Sequence, residues 1–139
     1  MIFFAGKMVP QFVEITKNEW FGEIIWDKGM PGLGYHVRYA HDSIAVLKIG
    51  SPVRPINAIM SVIRHPAPGN HHIHEKPVPV LKKLIEWGCP QGGTVLDPFM
   101  GCGSTLRAAK DLGRKAIGIE IEPQYCQEAV KIMSQLVLI

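Results

Sequence analysis

Between residues 92 and 122, glycines, small hydroxyl side chains and carboxylates fall at spacings that suit a nucleotide-like ligand. The run Asp97-Pro98-Phe99-Met100-Gly101-Cys102-Gly103 cannot extend a strand. Pro98 lacks a donor, and Gly101 and Gly103 permit backbone angles that other residues avoid. Ser104 and Thr105 follow at once. Ser104 is placed to cap a helix over residues 105–112, and Gly113 supplies its stop. Glycines let a ligand approach the backbone, and a helix start offers free N–H groups. An acid at the tip of the next strand can hold ribose hydroxyls, and Glu120 stands at about the spacing this needs. A dinucleotide fingerprint fits poorly, because Leu106 occupies the place of its third glycine. A phosphate loop fits worse, since no Gly-Lys-Ser/Thr follows.

The elements that must position these residues read as strand, glycine turn, helix, strand. Thr94-Val95-Leu96 is a short apolar run, as expected of a strand buried on both faces. Ala116-Ile117-Gly118-Ile119 is a second apolar strand, ending at Glu120. Upstream, residues 79–87 predict a helix ended by Gly88, with Val80, Leu81, Leu84 and Ile85 on one face as core. Downstream, Pro123 suits the first position of a last helix. Its Cys126, Ala129, Val130, Met133 and Leu136 or Val137 fall at helical spacing and are expected in the core.

The glycine turn resembles the S-adenosylmethionine-binding motif of the amino-group DNA methyltransferases, which methylate adenine N6 or cytosine N4. The family form is Asp-Pro-Phe-x-Gly-x-Gly-Thr-Thr; here it is Asp97-Pro98-Phe99-Met100-Gly101-Cys102-Gly103-Ser104-Thr105. The run Leu112-Gly113-Arg114-Lys115-Ala116-Ile117-Gly118-Ile119-Glu120, with Tyr125, resembles the usual continuation. Upstream, His72-Ile73-His74-Glu75-Lys76-Pro77 is similar to a His-Pro-x-x-Lys-Pro element, with Ile73 in place of its first proline. That order belongs to the permuted branch. The close match covers residues 72–130, and residues 1–50 match more loosely. The resemblance implies a Rossmann-like α/β sheet with S-adenosylmethionine as cofactor. Asp97, Pro98, Phe99, Gly101, Gly103, Ser104 and Thr105 would form the cofactor loop. Glu120 would hold the ribose, and Lys76 and Pro77 would border the methionine end.

The first part of the chain carries the remaining strands. Ile2-Phe3-Phe4-Ala5 predicts a buried strand, Pro10 opens a short helix to about Thr16, and residues 20–26 predict an aromatic-rich strand. A glycine-rich loop at Gly29, Pro31, Gly32 and Gly34 precedes a third strand over residues 43–48. The long connection between these two strands predicts an antiparallel pair at a sheet edge. Five prolines and glycines between Gly50 and Asn70 mark a linker with at most a short strand at 58–63. The expected organisation is one methyltransferase-like domain over 1–139. Its parts are half of the sheet at 1–50, a Pro-rich linker at 51–71 and the cofactor half at 72–139. Arg54, Arg64 and His65 can reach phosphate, though loop arginines are commonly just solvated.

Composition bounds the rest. A chain of 139 residues, 47% hydrophobic and 19% charged, is a folded domain rather than a disordered one. The net charge of +3, without a Lys/Arg run, permits nucleic-acid contact but does not demand it. Three widely spaced cysteines give no disulfide framework or thiolate metal site, and point to a reducing cytoplasm. The cluster His71, His72, His74 and Glu75 lacks further ligands at metal spacing and overlaps the Lys-Pro element, so no metal is expected. The apolar start is too short to span a bilayer and lacks a signal-peptide pattern.

One part of the family pattern is not found. Methylating an exocyclic amine requires the amine to be held in line and its hydrogens accepted, the work of an Asp/Asn/Ser-Pro-Pro-aromatic loop in the family. No Pro-Pro dipeptide occurs in the chain. The expectation is a truncated sheet lacking its central catalytic-motif strand, between the Val95 and Phe3 strands, leaving a slot of roughly 9–10 Å. Unpaired buried backbone groups there would cost about 1–3 kcal/mol each. The two edges closing on each other, a second copy, or a separate chain would fill the slot. Three functions follow: a DNA methyltransferase inactive alone, a non-catalytic S-adenosylmethionine-binding remnant, or a folded fragment that oligomerises.

Overall fold

A computed structural model of the chain describes residues 1–5, 14, 19–32, 35–51, 55, 57–68 and 75–134. The chain is mixed α/β and divides into two compact units, Met1–Pro66 and Ala67–Ile139. The helix expected after Pro10 and the histidines 71, 72 and 74 lie outside the described residues.

In the first unit, β1 (Ile2–Ala5), β2 (Trp20–Asp27), β3 (His41–Leu47) and β4 (Val62–Arg64) form a sheet of order β1-β3-β2-β4. The antiparallel β2–β3 pair forms as expected, with Ile24 opposite Ile44. It is not at an edge: β1 lies antiparallel on β3, and β4 lies parallel on β2. The linker strand is displaced from 58–63 to Val62–Arg64, where Ile63 gains burial beside Trp26 in register. Ile2, expected buried, is 43% exposed. β3 is buried on both faces from Ser43 through Val46, as a central strand is. Trp26 is 2% exposed. Its ring meets Phe3 edge-on at 6.4 Å, and its Nε1–H donates to the His65 carbonyl at 2.7 Å. Buried indole without that acceptor would be costly, so this bond fixes where the chain leaves β4.

In the second unit, α1 (Val78–Gly88) buries Val80, Leu81, Leu84 and Ile85, the face that the spacing predicts. β5 (Thr94–Asp97) and β6 (Lys115–Gly118) are parallel, Leu96 opposite Ile117, joined through α2 (Ser104–Asp111). α3 (Pro123–Ser134) begins at Pro123 and buries Ala129. Val130, expected in the core, is exposed, and positions 136 and 137 lie outside the described residues. The two-faced burial expected of β5 does not hold. Leu96 is 61% exposed, Ile117 55% and Ile119 56%, whereas Val95 and Ala116 on the other face are partly covered. Among the described residues β5 pairs only with β6, and β1 only with β3. No helix among the described residues is long and apolar enough to cross a membrane.

Candidate functional site

The loop from Asp97 to Gly103 turns the chain from β5 into α2, and its own hydrogen bonds fix it. The Asp97 carboxylate accepts from the Phe99 N–H at 3.1 Å, the short side-chain-to-backbone bond that makes aspartate a turn former. The Ile119 N–H donates to the Asp97 carbonyl at 2.9 Å, and the Met100 N–H donates to the Ile119 carbonyl at 3.0 Å. The loop is therefore stitched to the chain just beyond β6. Gly101 and Gly103 have φ of 54° and 88°, the left-handed region that favours glycine.

These two glycines have different surroundings. A Cβ on Gly103 would lie 2.9 Å from the Ala129 Cβ, so its bareness lets α2 and α3 approach. A Cβ on Gly101 would meet nothing within 4 Å, so the space before it is open to a ligand. Ser104 does not cap the helix. Gly103 takes the N-cap position without a side-chain bond, and Ser104 is the first helical residue, buried. The left-handed turn at Gly103 starts the helix one residue earlier than the capping preference of serine predicts.

Glu120 stands against this loop. One carboxylate oxygen accepts from the Gly101 N–H at 2.9 Å; the other accepts from the N–H groups of Ile121 at 2.8 Å and Glu122 at 3.0 Å. The Glu122 N–H is the largest cause holding this carboxyl below the usual carboxylate range. Desolvation opposes it, and the Gly101 and Ile121 N–H groups add to it. The side chain is thus an ionised acceptor, turned toward the glycine turn.

Of the remaining expected site residues, Pro98 and Phe99 face solvent, Phe99 being 88% exposed, and Thr105 is half-buried in the first turn of α2. Lys76 is half-buried, and buried Pro77 caps α1, its carbonyl accepting from Val80 and Leu81. The Lys-Pro element lies near the loop: burial, then the charge of Glu75, push the Cys102 thiol up. The sequence reading left Gly118 without a role. A Cβ there would strike Met100 Sδ and both Leu106 methyls, so loop and helix rest on a bare backbone position. A glycine inside an apolar strand is itself the sign of such an approach. Among the described residues no cluster of three metal-ligating side chains occurs.

The family model described as DNA methylase matches residues 13–131. The putative methylase YubD of Escherichia coli K12 is 37% identical over 127 residues, covering 88% of this chain and 56% of that protein. The chain thus spans little more than half the length of this relative. The type II methyltransferase M.HinfI of Haemophilus influenzae is 42% identical over 65 residues, 47% of this chain and 18% of its own. Among solved structures, the M1.HpyAVI–SAM complex superposes with a TM-score of 0.74 at 28% identity, over 96% of this chain and 73% of that one. The cytosine-N4-specific PvuII DNA methyltransferase shares the fold, with a TM-score of 0.73 at 12% identity, over 96% of this chain and 57% of that one.

Proposed function

The chain belongs to the DNA methylase family, and on that premise we propose that it binds S-adenosylmethionine at the glycine loop and serves methyl transfer to an exocyclic amine of DNA, adenine N6 or cytosine N4. The observation that carries this reading is the placement of an ionised Glu120 carboxylate against the Gly101 N–H, beside open space. Three N–H groups occupy this carboxylate, and the remaining acceptor site on the oxygen facing Gly101, just past a strand end, is suited to a sugar hydroxyl. Similarity to a structure solved with the same cofactor supports the choice of ligand.

In this reading Glu120 holds the ribose, Gly101 and Gly103 allow close approach, and Ser104 and Thr105 begin the helix whose N–H groups face the ligand. Asp97 keeps the turn shaped through Phe99, Pro98 and Phe99 wall the loop, and Lys76 and Pro77 border the methionine end. When bound, S-adenosylmethionine supplies a methyl group on a sulfonium. The residues of this loop bind and orient the cofactor. No Pro-Pro dipeptide occurs in residues 1–139, so in this reading the amine-holding loop lies outside these residues. The work is cytoplasmic, where DNA is met.

Calorimetric titration with S-adenosylhomocysteine tests the binding. Saturable heat is expected, and Asp97→Ala and Glu120→Ala should each abolish it. Absence of heat from the unaltered chain ends the reading. A labelled-methyl assay on mixed DNA, with and without a polypeptide carrying a Pro-Pro-aromatic segment, tests the rest. Transfer only in its presence is expected. Binding without transfer in either arm favours the second reading, a non-catalytic cofactor-binding module.

A further inference from the structure

A methionine sulfur lies beneath the glycine loop, apart from the groups assigned to the ligand. Met100 is held at both backbone groups. Its N–H donates to the Ile119 carbonyl at 3.0 Å, and its carbonyl accepts from the Gly103 N–H at 2.9 Å. Its side chain runs to the bare backbone of Gly118 on β6, where a Cβ would overlap Sδ. Leu106 closes the same place from α2, its two methyls 2.9 and 3.0 Å from where that Cβ would be. The residue after Met100 is Gly101, whose N–H donates to Glu120 at 2.9 Å. Met100 is half-buried, so small solutes can reach it.

A thioether suits this seat because it is apolar and slender and needs no hydrogen bond. One added oxygen changes both properties, since a sulfoxide is bulkier and strongly polar. The Leu106 methyls offer it no donor. Either the oxygen crowds those methyls, or the side chain swings out to water and leaves the seat empty. Both outcomes shift the loop beside the Gly101–Glu120 contact. The adjoining thiol is a poor competitor for an oxidant. Cys102 is 8% exposed, and burial, then the charge of Glu75, push its thiol up, so little thiolate forms. Met30 and Met60 are 74% and 79% exposed, but neither belongs to the loop.

We propose that Met100 is an oxidation site that governs the cofactor loop: conversion of its thioether to the sulfoxide by a peroxide weakens binding at the Gly101–Glu120 pair. In this step a sulfur lone pair attacks one oxygen of hydrogen peroxide. The S–O bond forms as the O–O bond breaks, and hydroxide departs. The proton on the sulfur-bound oxygen passes to that hydroxide, which leaves as water. Sulfur gives up two electrons and the peroxide takes them. The proposal rests on the cofactor reading for the ligand. It goes beyond that reading in making occupancy of the site depend on the redox state of a residue outside the ligand's contacts.

Titration of the full chain with S-adenosylhomocysteine, before and after hydrogen peroxide, tests it. Dithiothreitol added after the peroxide restores reversibly oxidised thiols, and mass spectrometry of the peptide holding residue 100 follows conversion. Affinity should fall several-fold in step with sulfoxide at Met100, and the melting temperature should drop with it. Methionine sulfoxide reductases acting on both epimers should restore both. Met100→Leu keeps an apolar side chain without sulfur. Its affinity and melting temperature should be the same before and after peroxide, whatever their starting values. Full conversion of Met100 with affinity and melting unchanged would overturn the proposal. So would an equal loss in Met100→Leu, or a Met100 that resists peroxide while Met30 and Met60 convert. An unoxidised chain that takes up no S-adenosylhomocysteine counts against the cofactor site. The melting shift, present in the unaltered chain and absent from Met100→Leu, then decides this proposal by itself.

Discussion

Three backbone N–H groups converge on Glu120, and its carboxylate joins the end of β6 to the glycine turn. Because the folded-state pKa lies below the ordinary value, the stabilisation is present above the unfolded-state pKa of about 4.3. It is lost as pH falls through the lower folded value. Glu120→Gln should therefore melt below the unaltered chain near neutral pH, the gap closing on acidification; thermal melts across pH 3 to 7, roughly the window of carboxylate titration, check this. Gly103→Ala combines a left-handed φ with a 2.9 Å approach to Ala129 and should cost roughly 1–3 kcal/mol, read by urea unfolding. Gly101→Ala meets no neighbour and should cost less stability while reducing S-adenosylhomocysteine affinity more. At this scale the sequence was informative where chemistry is local. The spacing from Gly101 to Glu120 was legible because one helix and one short strand fix it. Ser104 misled, since capping preference says nothing of the left-handed glycine beside it.

Among the elements, α1 shows how far periodicity carries. Val80, Leu81, Leu84 and Ile85 are buried as their spacing predicts. Leu84→Ala should destabilise by about 2–5 kcal/mol, measured as a shift in the urea midpoint. A smaller effect would mean that the helix packs loosely. Strands were harder to read. An apolar run such as Thr94-Val95-Leu96 looks the same whether one face is covered or two, because the alternation that marks a bare face needs polar residues to show it. β4 was nearly invisible: three residues carry too little pattern, and its place is set by partners far away in sequence, the Trp26 indole bonding to His65 among them. The β2–β3 pair was legible as antiparallel. Its interior position depends on β1 and β4, which local reading cannot rank.

Across the whole molecule, the chain forms two compact units, and the glycine loop with its carboxylate lies in the second, Ala67–Ile139. The labelled-methyl assay should respond to an added polypeptide in a saturable, concentration-dependent way if the amine-holding loop is supplied in trans. The face bearing Leu96 of β5, Ile117 of β6 and Ile119 just beyond it has a more immediate consequence. Residues 1–139 alone would display an adhesive strip along a strand with one bare side, whose only partner among the described residues is β6. Holdase chaperones would bind it and proteases would clear it. Steady-state abundance in a cell would then follow the supply of whatever shields that strip, rather than the rate of synthesis.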